Sequence, residues 1–156
     1  MQLSQIIELK GILPALKVTN KRQLLQELAH QAAKRTKLDA RQIFEGLLHR
    51  ERLLSTGLGQ GTAIPHCKFP SLERVHGLFA RLVVPIDFES VDDQPVDLVF
   101  LLLSPESAGG DHLTALARIS RLFRDTQIAQ KLRGTEDAAG LYAILTEPAA
   151  TTPHAA

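Results

Sequence analysis

Residues 96–103, Val-Asp-Leu-Val-Phe-Leu-Leu-Leu, carry one charge among eight positions and show no alternation of apolar and polar side chains. A half-exposed strand alternates with a period of two, whereas a strand covered on both faces reads as an almost continuous apolar run. The run is also far short of the roughly 20 residues that a membrane-spanning helix needs. It therefore asks for a strand inside a sheet with helices on both sides, and the rest of the fold has to be built around it. A second strand is marked by Leu78, Ala80, Leu82 and Val84 alternating with Phe79, Arg81 and Val83. Asp92-Asp93-Gln94-Pro95, between the two, is a turn signal.

The helices come from spacing. After Thr19, residues Leu24, Leu25, Leu28, Ala29 and Ala32 form one apolar stripe. A second helix is predicted after Asp39, with Gln42 as its capping-box partner, burying Ile43, Phe44, Leu47 and Leu48 and ending near Leu53. Residues 104–110 read as a loop. Beyond it Leu113, Leu116, Ala117, Ser120 and Phe123 share a helical face, with Asp111 as the cap. Two short helices close the domain, one over residues 126–133 that stops at Gly134, the other starting after Thr135 and burying Leu141, Tyr142 and Leu145. With 156 residues, 44% of them hydrophobic, the chain can fill one core. The expectation is a single α/β domain over residues 1–147, a mixed β-sheet with helices on both faces, and a flexible tail over 148–156 that offers little to bury.

Charge and composition narrow the function. A formal net charge of +1 gives no bulk attraction to nucleic acid or to an anionic membrane. The local cluster Lys34-Arg35-Thr36-Lys37 closes a predicted helix, where cations complement the dipole. No apolar stretch suits membrane insertion or a secretory signal, and one cysteine, Cys67, allows no internal disulfide, so a cytoplasmic protein is expected. The glycines of Gly57-Leu58-Gly59-Gln60-Gly61 match neither a P-loop nor a Rossmann fingerprint. Histidines, cysteine and carboxylates do not fall at zinc spacings, so neither cofactor nor metal is expected.

Among the six histidines, His30 and His49 lie in predicted helices, His76 begins a strand and His154 is in the tail. His66 stands apart because it follows the stretch Ser55-Thr56-Gly57-Leu58-Gly59-Gln60-Gly61-Thr62-Ala63-Ile64-Pro65, which reads as an exposed loop leading into a short strand. Pro65 would fix the backbone that presents the ring. His112 enters a helix whose free amides disfavour an imidazolium, so it would stay neutral and able to donate one hydrogen bond. Arg50 closes the second helix just before the glycines, and a guanidinium suits phosphate oxygens; Glu51 beside it could orient it. Cys67, flanked by His66 and Lys68, offers an alternative nucleophile, although neighbours on a strand point to opposite faces.

Taken together, Arg50-Glu51 and residues 55–66 closely resemble the signature of the phosphotransferase-system (PTS) EIIA family that includes mannitol, fructose and nitrogen-regulatory proteins. Asp92-Asp93-Gln94-Pro95-Val96-Asp97-Leu98-Val99-Phe100 and His112-Leu113 extend the resemblance over nearly the whole chain. It implies the EIIA mannitol/fructose-type fold and a phosphotransferase-type phosphocarrier, in which His66 takes a phosphoryl group from an HPr-like carrier protein with His112 and Arg50 as auxiliary groups. Thr56, Gly57, Gly59, Gly61 and Thr62 are then expected to support the phosphoryl loop, the glycines by close approach and the threonines by further hydrogen bonds. No metal or nucleotide is required in such a transfer. Cys67 departs from the glycine expected after the active histidine, and raises the question of a redox-sensitive site. The chain is expected to lack a fused permease, and its size together with the Ser-Thr-Gly-Leu-Gly loop most resembles the nitrogen-regulatory branch, whose targets include kinases and transporters. The alternatives are a sugar-specific EIIA that feeds an EIIB protein and a binding module whose histidine is never phosphorylated.

Overall fold

The apolar run becomes the centre of the sheet. The structure, a computed structural model, describes residues 1–147, and the tail expected at 148–156 lies outside the described residues. Its strands are β1 (Ile12–Leu16), β2 (Gly57–Gly59), β3 (Thr62–Ala63), β4 (His66–Phe69), β5 (His76–Ile86) and β6 (Val96–Pro105). Its helices are α1 (Lys21–Ala33), α2 (Ala40–Leu53), α3 (Gly110–Arg124), α4 (Thr126–Arg133) and α5 (Ala138–Thr146). The sheet order is β1-β5-β6-β3-β2, with β4 pairing with β6 as well. β1 is parallel to β5, β5 antiparallel to β6, and β3 and β4 both run parallel to β6, so the sheet is mixed.

Side chains on β6 alternate between two cores, as the pleat requires. Val99, Leu101 and Leu103 pack with Leu24, Leu28, Ile43 and Leu47 of α1 and α2. Leu98, Phe100 and Leu102 pack with Ala115, Ile119, Phe123, Leu132 and Leu141 of α3, α4 and α5. Helices therefore cover both faces. No helix among the described residues is long and apolar enough to cross a membrane.

Several local expectations are corrected. Asn20, not Thr19, caps α1: its side chain accepts from the Gln23 amide at 2.8 Å, while Thr19 bonds to the Gln23 side chain. Asp39 occupies the cap position of α2 without a side-chain cap bond, so no capping box with Gln42 forms. Asp137, not Thr135, caps α5 by accepting from Gly140 N at 2.9 Å. The buried stripe of α3 is His112, Ala115, Ile119 and Phe123, and Leu113 is 67% exposed. The buried face is turned by about one residue from the expected one, with the polar His112 inside and the apolar Leu113 outside. Gly109, rather than Asp111, precedes the first turn, with a positive φ of 37°. The stretch expected as an exposed loop is instead a hairpin of β2 and β3, and residues 61–65 are buried. Gly59 and Gly61, with φ of 93° and 83°, make its tight tip.

Candidate functional site

Strand register carries His66 to its place. β3 and β4 follow the same line along β6, with Thr62 opposite Leu98 and His66 opposite Leu102, and Pro65 O accepts from Leu102 N at 2.9 Å. His66 thus lies on the α3 side of the sheet, like Ile64 and Leu102. Its Nδ1 is 2.7 Å from the Ile64 carbonyl. A carbonyl only accepts, so Nδ1 holds the proton and Nε2 keeps its lone pair. Burial pushes the ring's pKa below the ordinary histidine value, the Ile64 bond opposes this, and the Arg50 charge adds to the lowering. The His66 ring is therefore held neutral near pH 7 with the Nε2 lone pair available.

His112 reaches the same place from α3. Its ring centre is 5.5 Å from that of His66 at an interplanar angle of 57°, and its Nδ1 is 2.6 Å from Ser104 Oγ. Burial, then the charges of His66 and Lys68, lower its pKa to about 4. Arg50 sits in the last turn of α2, and its Nη1 donates to Leu54 O at 2.8 Å, leaving Nε and Nη2 without a bond among the described residues. The hairpin closes the third side: Ile64 N donates to Thr56 O at 3.1 Å, which sets residues 54–56 beside 64–66.

The remaining expected residues serve other ends. Glu51 does not orient Arg50. It is buried, lies 3.0 Å from Lys21 Nζ, and accepts from the amide of Thr56 at 3.1 Å and from the Thr56 hydroxyl. The Thr62 hydroxyl donates to Gly59 O at 3.0 Å. Gly59, Gly61 and Thr62 form the far end of the hairpin, four residues along the sheet from His66, or about 13 Å. Gly57 packs on Ser90, whose Oγ leaves no room for a Cβ there. The structure brings together His66, His112, Arg50 and the backbone of Thr56, and leaves the glycine tip apart. Cys67 points to the other face, where its Sγ would be 2.9 Å from a Cβ on Gly46 of α2, and burial raises its pKa. Its thiol is thus not activated by its sequence neighbours.

The sequence gives no role to Ser104 and a different one to Glu51, although both carry a readable signal. Glu51 continues the buried stripe Ile43, Leu47 of α2 at a spacing of four, and a charge on a buried stripe needs a partner. Ser104 continues the alternation Phe100, Leu102 on the α3 face of β6 and is fully buried. Among the described residues, no group of three or more histidine, cysteine or carboxylate side chains is placed to hold a metal ion.

Residues 5–147 match the family described as phosphoenolpyruvate-dependent sugar phosphotransferase system, EIIA 2. The chain belongs to this family. The EIIA chain is similar to a nitrogen regulatory protein of Bradyrhizobium diazoefficiens, with 58% identity over 151 residues that span 97% of this chain and 99% of that one. Its fold is similar to that of nitrogen regulatory protein IIA-Ntr from Neisseria meningitidis, with a TM-score of 0.89, 36% identity, and 92% and 99% of the two chains covered. The IIA mannitol protein of Escherichia coli shares the fold at a TM-score of 0.75 and 18% identity, over 88% of this chain and 97% of that one. Sequence and structure together set this EIIA chain with the nitrogen-regulatory members, and the sugar-specific ones are the more distant kin.

Proposed function

We propose that His66 accepts a phosphoryl group from a phosphohistidine on an HPr-like carrier, and that regulatory targets in the cytoplasm distinguish the phosphorylated from the free form. The observation that carries this is the pinned imidazole: Nδ1 tied to the Ile64 carbonyl, Nε2 free, and a second imidazole 5.5 Å away between ring centres. In the transfer, a bond forms from His66 Nε2 to phosphorus and the carrier's N–P bond breaks, its electron pair returning to the carrier's ring nitrogen. The Nδ1 proton stays on His66, and the Ile64 carbonyl faces the positive charge that the ring gains. Arg50 offers its unbonded guanidinium nitrogens to the phosphoryl oxygens, so that positioning and charge stabilisation supply most of the catalysis.

Leu53, Leu54 and Leu113 are exposed beside these residues and give an apolar rim to a partner surface. A phosphoryl group placed within that rim adds roughly two negative charges, enough to make or break a contact with a target. The similarity to proteins named for nitrogen regulation supports regulation over sugar transport.

The proposal is tested by incubating the protein with a phosphorylated HPr-type carrier and reading intact mass and acid lability. One acid-labile phosphate is expected on the parent and none on His66→Ala. Rapid onward transfer to an added EIIB protein would move the role toward sugar uptake. A folded parent that accepts nothing would leave only a binding module.

A further inference from the structure

We infer that Ser104 selects the tautomer of His112: its hydroxyl donates to His112 Nδ1 and so places the ring's single proton on Nε2, as a hydrogen-bond donor. Its consequence for transfer rests on the phosphocarrier reading above; the tautomer itself does not.

Hydrogen-bond accounting in a dry place decides which group donates. Ser104 is fully buried on β6 and His112 is 5% exposed. Their 2.6 Å contact is the one bond that either side chain makes among the described residues. If the ring donated, the serine proton would point into the core with no acceptor, and an unsatisfied buried donor costs roughly 1–3 kcal/mol. If the serine donates, its proton is bonded, the Nδ1 lone pair is used, and the ring's own N–H turns to the open side of the site, where water or a phosphoryl oxygen can accept it. The second arrangement leaves no buried donor without a partner.

The two histidines are then set in opposite tautomers by what holds their Nδ1 atoms. A carbonyl, which only accepts, keeps the proton of His66 on Nδ1 and exposes an Nε2 lone pair for attack. A hydroxyl with nothing else to donate to keeps the proton of His112 on Nε2. One ring becomes the nucleophile and the other a neutral donor to the group being transferred. Burial first, then the charges of His66 and of Lys68, which lies opposite Ser104 in the strand pairing, keep His112 from taking a second proton. Ser104 touches neither phosphorus nor carrier in this arrangement and is a positioning residue.

The test is two-bond proton–nitrogen correlation on histidine-labelled, unphosphorylated protein at pH 7. The expected pattern is Nε2–H for His112 and Nδ1–H for His66. Ser104→Ala should move His112 toward a mixture of tautomers or to Nδ1–H, and should slow phosphoryl transfer about tenfold, with the carrier's KM little changed. Ser104→Thr, which keeps a hydroxyl, should restore both the pattern and the rate. His112 found as Nδ1–H in the parent, or a His112 pattern unaffected by Ser104→Ala in a folded protein, would overturn the inference. A parent with the expected pattern that accepts no phosphate would refute the phosphocarrier reading and leave the tautomer assignment standing.

Discussion

The wall of the site that carries His66 and Arg50 is braced at every level, whereas the wall that carries His112 begins without support. On the first wall, Glu51 joins α1 to the hairpin through Lys21 and Thr56. At the hairpin tip, Asp92 accepts from Gln60 N at 2.8 Å, and Arg133 bonds both Gln60 O at 2.9 Å and the Asp97 carboxylate at 3.0 Å. On the second wall, α3 starts at Gly109 and Gly110 with no side-chain cap, and a Cβ at either position would meet nothing within 4 Å. The contrast fits the chemistry. In the proposed transfer the acceptor lone pair has to be aimed to a fraction of an ångström, while the helix that completes the site has room to adjust to a docking partner.

Breaking the braced wall should have the largest effect. Glu51→Ala takes from the largely buried Lys21 its nearer carboxylate, leaving only the exposed Glu89 at 3.5 Å, and removes the acceptor of two Thr56 bonds, so a loss of about 3 kcal/mol in urea unfolding is expected, with transfer slowed as residues 54–56 drift. A change below about 0.5 kcal/mol would deny the brace.

The second wall has its own signature in pH. His112 binds its proton far less readily in the folded chain, near pH 4, than in the unfolded one, near 6.5. Stability from this group is complete above about pH 6.5 and falls with a slope of up to about 1.4 kcal/mol per pH unit as pH drops toward 4. His66, whose pKa is also lowered, adds in the same direction. Denaturation midpoints for the parent and for His112→Asn should diverge over that window, the variant showing the flatter profile; parallel profiles would exclude His112 as a source.

Arg133→Ala should cost about 1–2 kcal/mol by freeing Asp97 and the Gln60 carbonyl, yet change transfer less than Glu51→Ala, because the tip lies far from His66. Gly110→Ala is the mildest and the most discriminating. Its side chain meets open space in the first turn of α3, so a gain of about 0.5 kcal/mol is expected. If α3 must adjust to a partner, the same variant should transfer more slowly in spite of being more stable; unchanged transfer would show that both walls are rigid.

How far the sequence was legible depends on how local each signal is. β6 and β5 stood out because burial on two faces or alternation is written in consecutive residues, and α1, α2 and α4 because their stripes are unbroken. β1 escaped notice: Ile-Leu-Pro-Ala-Leu contains a proline and no alternation, and its pairing with β5 is a long-range fact. The hairpin is legible only as a loop, because glycines signal turns but not the strands on either side of them. In the site, His66, His112 and Arg50 are legible through a motif; Glu51 is legible as a member of that motif but not as a buried brace, and Ser104 needs the packed structure to show that the core encloses its hydroxyl.

The most direct test of the account is to phosphorylate histidine-labelled protein with a phosphorylated HPr-type carrier and find the nitrogen that couples to phosphorus. The account predicts coupling to Nε2 of His66 alone, since Nδ1 is held by the Ile64 carbonyl. Phosphorus on Nδ1 of His66, or on His112, would contradict it.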